Sequence, residues 1–297
     1  NVLSTKVGIN VFLDGYLPNE NVRFRDKKFS FNASSTAGQF TEEEIAFEYP
    51  TLEKKYTNFS LTVEQGKIRK GEILGIIGAN ALGKTTMMKM IAGEVKLDSG
   101  SVDKKIKIAY KPQYLTNDVE IDVISVLSKA NEGAIEGSQE EEQIVDPLKI
   151  KKLYNKSIKN LSGGELQKVA VATCLLQKVD MYALDEPSAF LDVEDRIVVA
   201  KFLQKFVRSY GKSAIIIDHD LQLLDLVSDS MVIFEGISGT NGYASAPLSK
   251  KEAMNKFLKS LNITFRRDEK SNRPRVNKED SRLDKMQKES SNFYYLN

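Results

Sequence analysis

The chain has 297 residues, 41% of them hydrophobic, which allows one large or two modest domains around a real core. Lysine plus arginine (43) almost balances aspartate plus glutamate (41), so the net charge of +2 does not announce a nucleic-acid binder, although local patches can still touch one. The single Cys174 excludes an intramolecular disulfide and an all-cysteine metal cluster within this chain, and the lack of an apolar run near 18 residues or a signal-peptide pattern reads as cytoplasmic, with no membrane partner.

Asn1 stands where a starting methionine is expected, which reads as a fragment of something longer. Residues 1 to 45 do not read as a free-standing domain. The run 7–18 is apolar but short, Arg23-Phe24-Arg25 and Phe29-Ser30-Phe31 alternate as strands do, and 33–39 is a polar loop. An edge hairpin and a segment on which something else packs both fit this pattern. From Ala46 the chain turns strand-rich. Phe59-Ser60-Leu61-Thr62-Val63 alternates, and a turn at Lys70-Gly71 leads into the buried strand Ile73-Leu74-Gly75-Ile76-Ile77.

That strand enters Gly78-Ala79-Asn80-Ala81-Leu82-Gly83-Lys84-Thr85-Thr86, which fits the phosphate-binding P-loop G-x-x-x-x-G-K-[ST]. A loop of this shape turns backbone N–H groups toward the oxygens of a nucleotide phosphate chain. Gly83 permits close approach, Lys84 supplies charge for the β- and γ-phosphates, and the Thr85 hydroxyl is placed for Mg²⁺. The following helix, through residues 87–92, aims its positive dipole end at the anion. Upstream, Tyr49 and Tyr56 can each stack on a nucleobase or pack in a core; Tyr49 is the favoured platform.

Beyond the helix, residues 100–102 and 106–110 read as short strands, ending at Lys111-Pro112-Gln113-Tyr114. Residues 120–160 read as helical around an acidic solvated loop at 132–146. Leu161-Ser162-Gly163-Gly164-Glu165-Leu166-Gln167 then opens a helix. Ser162 is its N-cap, and the two glycines leave a second anion-binding helix start, although Ser162 with Glu165 also fits a plain capping box. The buried strand 181–184 delivers Asp185-Glu186-Pro187. A carboxylate there is the usual Mg²⁺ partner, and Glu186 is placed to deprotonate a water aimed at the γ-phosphate. A helix through Ala200 follows Asp192, and a last buried run, 214–217, ends near His219, the chain's lone histidine, placed to reach the γ-phosphate. The strand 231–236 closes the series. The tail 262–297 carries nine basic and six acidic residues, densest at Arg266-Arg267 and Arg273-Pro274-Arg275; a solvated tail and a docking or RNA-phosphate segment both fit.

The P-loop, Gln113, the run 161–167, Asp185-Glu186-Pro187, Asp192 and His219, in this order, resemble the ATP-binding-cassette ATPases over about residues 46–240. Ala79 and Ala81 depart from that pattern, standing where proline and glycine are usual. The segments 7–18, 110–114 and 263–268 with Arg273-Pro274-Arg275 are similar to subfamily E, the ribosome-recycling ATPases of archaea and eukaryotes, in their second half. The resemblance implies an α/β cassette with a parallel-sheet P-loop core, an antiparallel β subdomain and a helical signature subdomain at 46–260, flanked by hinge segments at 1–45 and 261–297.

The resemblance further implies that ATP lies between paired head-to-tail cassettes. Tyr49, Asn80, Gly83, Lys84, Thr85, Thr86, Gln113 and Asp185 would bind it, with Thr85, Gln113 and Asp185 on Mg²⁺ and Glu186 and His219 catalytic. Ser162, Gly163, Gly164 and Glu165 would complete the partner's site, with Asp192 on the D-loop. The implied partners are a second cassette of the same full-length chain, the small ribosomal subunit and its RNA, and termination or rescue factors. An iron–sulfur domain belongs to the part of the family protein absent here. A transporter's ATP-binding subunit and a non-hydrolysing ATP-dependent scaffold are the rival readings.

Overall fold

Three runs that are apolar on both faces, Ile73–Gly78, Met181–Asp185 and Ser213–Ile217, can only be central parallel strands, because an alternating strand leaves one face to water. They are adjacent in the computed structural model, which describes residues 16–17, 22–23, 45–103, 105–113, 116, 118–268 and 274–294. Tyr114, Arg273, Phe24-Arg25, Phe29-Ser30-Phe31, the loop 33–39 and most of the run 7–18 lie outside these residues. The chain divides into two compact units, one of residues 36–262 and one of 1–35 with 263–297.

The smaller unit contains β1 (Tyr16–Leu17), paired antiparallel with β2 (Val22–Arg23). The larger begins with β3 (Ile45–Tyr49), β4 (Leu52–Lys55), β5 (Ser60–Val63), β6 (Gly66–Arg69) and β7 (Ile73–Gly78). The P-loop then enters α1 (Lys84–Ile91), followed by β8 (Ile108–Lys111) and α2 (Val123–Asn131). Next come α3 (Gly163–Leu175), β9 (Met181–Asp185), α4 (Val193–Ser209), β10 (Ser213–Ile217) and α5 (Leu221–Val227). The unit closes with β11 (Ser230–Ile237), β12 (Asn241–Ala244), β13 (Leu248–Ser249) and α6 (Lys250–Ser260).

The main sheet runs β4-β5-β12-β11-β7-β10-β9-β8, with β13 on β11. From β11 to β8 every pairing is parallel; β4 with β5 and β11 with β12 are antiparallel, and β3 with β6 forms a separate antiparallel pair. Residues 118–176 form the helical part, built on α2 and α3. Register fixes the functional edge. Ile217 stands beside both Ile76 and Asp185, so β7, β9 and β10 end together, and their following loops converge where open parallel sheets place ligands.

Three expectations change. Residues 100–102 form no strand: Gly100 turns with φ +85°, and the bridge lies one residue earlier, Ser99 against Glu53. Only 123–131 of the 120–160 stretch is α-helix; short turns at Glu141–Val145, Lys151–Leu153 and Ile158–Asn160 replace the rest. The acidic stretch is not wholly solvated either. Glu141 is buried and accepts from Tyr154 Oη at 2.7 Å and the Gly137 N–H at 2.9 Å, with Lys151 3.1 Å away. Those groups compensate a carboxylate that burial alone would expel.

In the smaller unit, β14 (Phe265–Arg267) pairs antiparallel with β15 (Pro274–Val276), and α7 (Arg282–Glu289) follows. Buried Asn277 donates to Thr264 and Gln287, and Thr264 donates to buried Asp284, so this basic segment has a hydrogen-bonded polar core. Arg275 meets Asp268 at 3.1 Å.

The β11–β12 turn props the P-loop from the side: Ser238 Oγ donates to the Asn80 carbonyl at 2.9 Å and the Gly239 N–H to that of Ala81 at 2.9 Å. Gly242 on β12 is packed so closely that a Cβ there would overlap the Leu82 carbonyl oxygen. Gly242→Ala must displace backbone, not a flexible side chain. Chemical denaturation should show a loss of about 2–3 kcal/mol; an unchanged midpoint would mean the P-loop is not pinned by this hairpin.

Candidate nucleotide site

The aligned strand ends open on a cleft of about 520 Å³ lined by Phe59, Asn80, Ala81, Gly83, Lys84, Thr85, Thr86, Gln113, Asp185, Glu186, Ile217, His219 and Gly239. Two backbone positions shape its floor. Gly83 caps α1 at φ +94°, a region that L side chains rarely adopt, and Ala81 sits at φ +59°. An alanine there costs about 1 kcal/mol that glycine would not. The substitution noted in the sequence is therefore strained, and the hairpin bond to its carbonyl helps to hold it.

Lys84 is 7% exposed and folds back on the loop, donating to the Gly78 carbonyl at 2.9 Å and the Ala79 carbonyl at 2.7 Å. Burial lowers its pKa, while Glu186 and Asp185 pull it the other way. Thr85 Oγ1 donates to Asp185 Oδ2 at 2.8 Å, and Tyr110 Oη lies 3.5 Å from the same oxygen. Burial raises the Asp185 pKa, and its Oδ1 has no hydrogen-bond partner among the described residues. A buried carboxylate oxygen without a donor, beside a threonine hydroxyl, suits a hard cation.

Glu186 is the centre of the arrangement. Gln113 Nε2 donates to its Oε1 at 2.6 Å, and His219 Nε2 lies 2.7 Å from that oxygen. Its backbone takes φ +49°, a left-handed conformation uncommon away from glycine, and its N–H donates to the Ile217 carbonyl at 2.8 Å. The next strand supports the turn: buried Asp218 accepts from Ser188 Oγ at 2.8 Å and its N–H at 3.1 Å.

Tyr49 requires a correction. It is 0% exposed, its ring tilts on Phe47 with centroids 5.7 Å apart, and it lies over Gly66, so it offers no face to a nucleobase. The pattern of β3, buried at 47 and 49, points it into the core. Tyr56 is half exposed and stacked under Lys54 Nζ, outside the cleft lining. Phe59 lines the cleft instead, its ring edge against Gly83. Its place next to β5 is visible in the sequence, but nothing there distinguished it from a core aromatic.

Ser162, Gly163, Gly164 and Glu165 do not line this cleft. Ser162 caps α3 in a full capping box with Glu165, which also pairs with Lys156 at 2.9 Å, and both glycines face Phe190. Phe190 is 77% exposed at φ +60°. Asp192 accepts from the Asp195 N–H as N-cap of α4. Sequence reasoning missed Lys111, 1% exposed, whose Nζ donates to the Asp185 carbonyl at 2.8 Å and the Pro112 carbonyl at 3.0 Å. A lysine at a strand end gives no sign in the sequence that it is buried.

A family model described as ABC transporter matches residues 61–189. The chain is 40% identical over 295 residues to the translation initiation factor RLI1 of Saccharomyces cerevisiae, covering 99% of this chain and 48% of that protein. It is also 40% identical over 164 residues to ABC transporter E family member 3 of Arabidopsis thaliana, covering 53% of this chain and 90% of that one. A structure titled as a model of ribosome-bound archaeal Pelota and ABCE1 superposes with a TM-score of 0.92 at 45% identity, over 99% of this chain and 49% of that one. The chain thus spans about half the length of the curated relatives that it matches end to end. No helix among the described residues is long and apolar enough to cross a membrane.

Lys111 gives the site a pH signature. Burial pushes its pKa down to about 8 from 10.5, so between those values the unfolded chain binds the extra proton and stability rises with pH. Cys174, pushed by burial up to about 12 from 9, acts in the opposite sense above pH 9, and the buried tyrosines do so above 10. The unfolding free energy should therefore rise by about 1 kcal/mol from pH 8 to 9, level off, and fall above 10. Lys111→Met should remove the rise; a rise that survives in that variant would assign it elsewhere.

Proposed function

We propose that this chain, which belongs to the E family of ATP-binding-cassette proteins, is one ATP-hydrolysing half of a ribosome-splitting ATPase. The observation that carries the chemistry is the Glu186 carboxylate, held by His219 and Gln113 at the mouth of a P-loop. A scaffold that only binds ATP has no use for a carboxylate so restrained. The names of the yeast translation factor and of the ribosome-bound archaeal neighbour support the ribosomal partner.

In this reading Lys84 leaves the Gly78 and Ala79 carbonyls and turns to the β- and γ-phosphates, while loop N–H groups cradle the remaining oxygens. Thr85 Oγ1, Asp185 Oδ1 and the Gln113 carbonyl oxygen are the donors that would hold Mg²⁺. Bound there, the ion would neutralise charge developing on the transferred phosphoryl group. Glu186 orients a water in line with the γ-phosphate and accepts its proton; His219 steadies the carboxylate and reaches the phosphate oxygens. Phe59 is the aromatic wall nearest the P-loop. Ser162 and Gly163, exposed at the α3 start, with half-buried Gly164 and Glu165, lie outside this cleft's lining and complete the site of a second cassette, with Asp192 on the D-loop. ATP then closes the pair, and loss of the γ-phosphate opens it. The unit formed by 1–35 and 263–297 is the hinge in this scheme; its exposed Arg282 suits ribosomal RNA, whereas Arg267 is buried against Tyr294 and Arg275 pairs with Asp268. Small subunits and termination or rescue factors are the proposed partners.

In the full-length parent protein, Glu186→Gln should cut phosphate release from this site by about 10²–10³-fold while ATP stays bound and the cassettes stay closed. Normal turnover in that variant would remove Glu186 from the reaction.

A further inference from the structure

The Glu186 backbone carbonyl is gripped from outside the cleft. Gln167 Nε2 donates to it at 2.5 Å, Lys111 Nζ stands 3.4 Å away, and the Ala189 N–H donates at 3.3 Å. Gln167 is 0% exposed, and its Oε1 has no hydrogen-bond partner among the described residues. A fully buried amide satisfied on one side only calls for an explanation, and the bond to the Glu186 carbonyl is the one that its Nε2 makes. That bond joins two parts with different tasks. Gln167 belongs to α3, whose capped N-terminus carries Ser162 to Glu165. Glu186 follows β9 and is held at φ +49°.

A helix moves as a rod, and Gln167 stands roughly 7–8 Å along the axis from Ser162. Any tilt of α3 when its start engages an anion therefore moves the Gln167 amide against the Glu186 carbonyl. Lys111, on β8, secures the neighbouring Asp185 carbonyl. We propose that Gln167 is a positioning residue which couples the start of α3 to the strained backbone of Glu186, so that engagement of Ser162 to Glu165 on a partner's nucleotide sets the carboxylate of this chain's own site. The inference rests on the proposed paired-cassette function. It assigns the link between the two sites to one side chain.

The test uses the full-length parent. Gln167→Met keeps the side-chain length and removes the donor. The expected result is a fall in kcat of about tenfold with KM for ATP and affinity for a non-hydrolysable ATP analogue within twofold. A role in packing alone would lower thermal stability without this split between kcat and KM. Wild-type kcat in a folded Gln167→Met variant, or loss of nucleotide affinity in parallel with kcat, would overturn the proposal. A second measurement does not depend on that variant folding. Hydrogen exchange across residues 186–191 should respond to the analogue in the wild type and lose that response in Gly163→Arg, a change at the exposed α3 start that keeps the Ser162 cap and lies outside this cleft's lining. An unaltered response in Gly163→Arg would overturn the coupling. A wild-type parent that hydrolyses no ATP would instead sink the functional reading beneath it, which separates the two failures.

Discussion

The structure turns on one residue in an unfavourable conformation. Glu186 lies just past the end of a fully buried strand, in a left-handed backbone turn that costs energy wherever glycine is absent. It is over-determined from every side. Its N–H is bound to β10, its carbonyl to α3 and toward β8, and its carboxylate to Gln113 and His219. A straight continuation of β9 would carry the side chain away from the P-loop. Three buried polar side chains near the cleft serve this turn: Lys111, Gln167 and Asp218 act on the backbone from 185 to 188, and Ser188 Oγ in turn donates to Asp218.

The P-loop shows the same economy on the opposite wall. Ala81 and Gly83 take positive φ, and the β11–β12 hairpin ties the loop through Ser238 and Gly239. Lys84 satisfies its ammonium on loop carbonyls, so the charge that the proposed function turns to phosphate is already desolvated and close at hand. Both walls hold strained backbone in place with hydrogen bonds from neighbouring strands. This suits the opening and closing that the proposed paired-cassette function requires.

How much of this was readable in the sequence depended on how local its cause is. The three central strands announced themselves through uninterrupted apolar runs, and the P-loop through a fixed pattern whose glycine has a conformational reason. The 120–160 stretch did not, because its short turns are held by side-chain bonds across loops, such as Tyr154 on Glu141, that follow no helical or strand period. Tyr49 was misread because an aromatic near a nucleotide loop and an aromatic in a core look alike until the strand's facing is known. Lys111 and Gln167 carry polar side chains to buried places by tertiary contact alone, and no periodicity marks that. The family resemblance supplied the pairing of cassettes, which single-chain geometry does not contain.

The account stands or falls on ATP-driven closure acting on a ribosomal subunit. The most direct measurement is sedimentation of the full-length parent with small ribosomal subunits, with and without a non-hydrolysable ATP analogue. Co-sedimentation that requires the analogue is the predicted result, since only the closed pair of cassettes would grip the subunit. An active ATPase that fails to pellet with the analogue, or that pellets equally without it, would contradict the account.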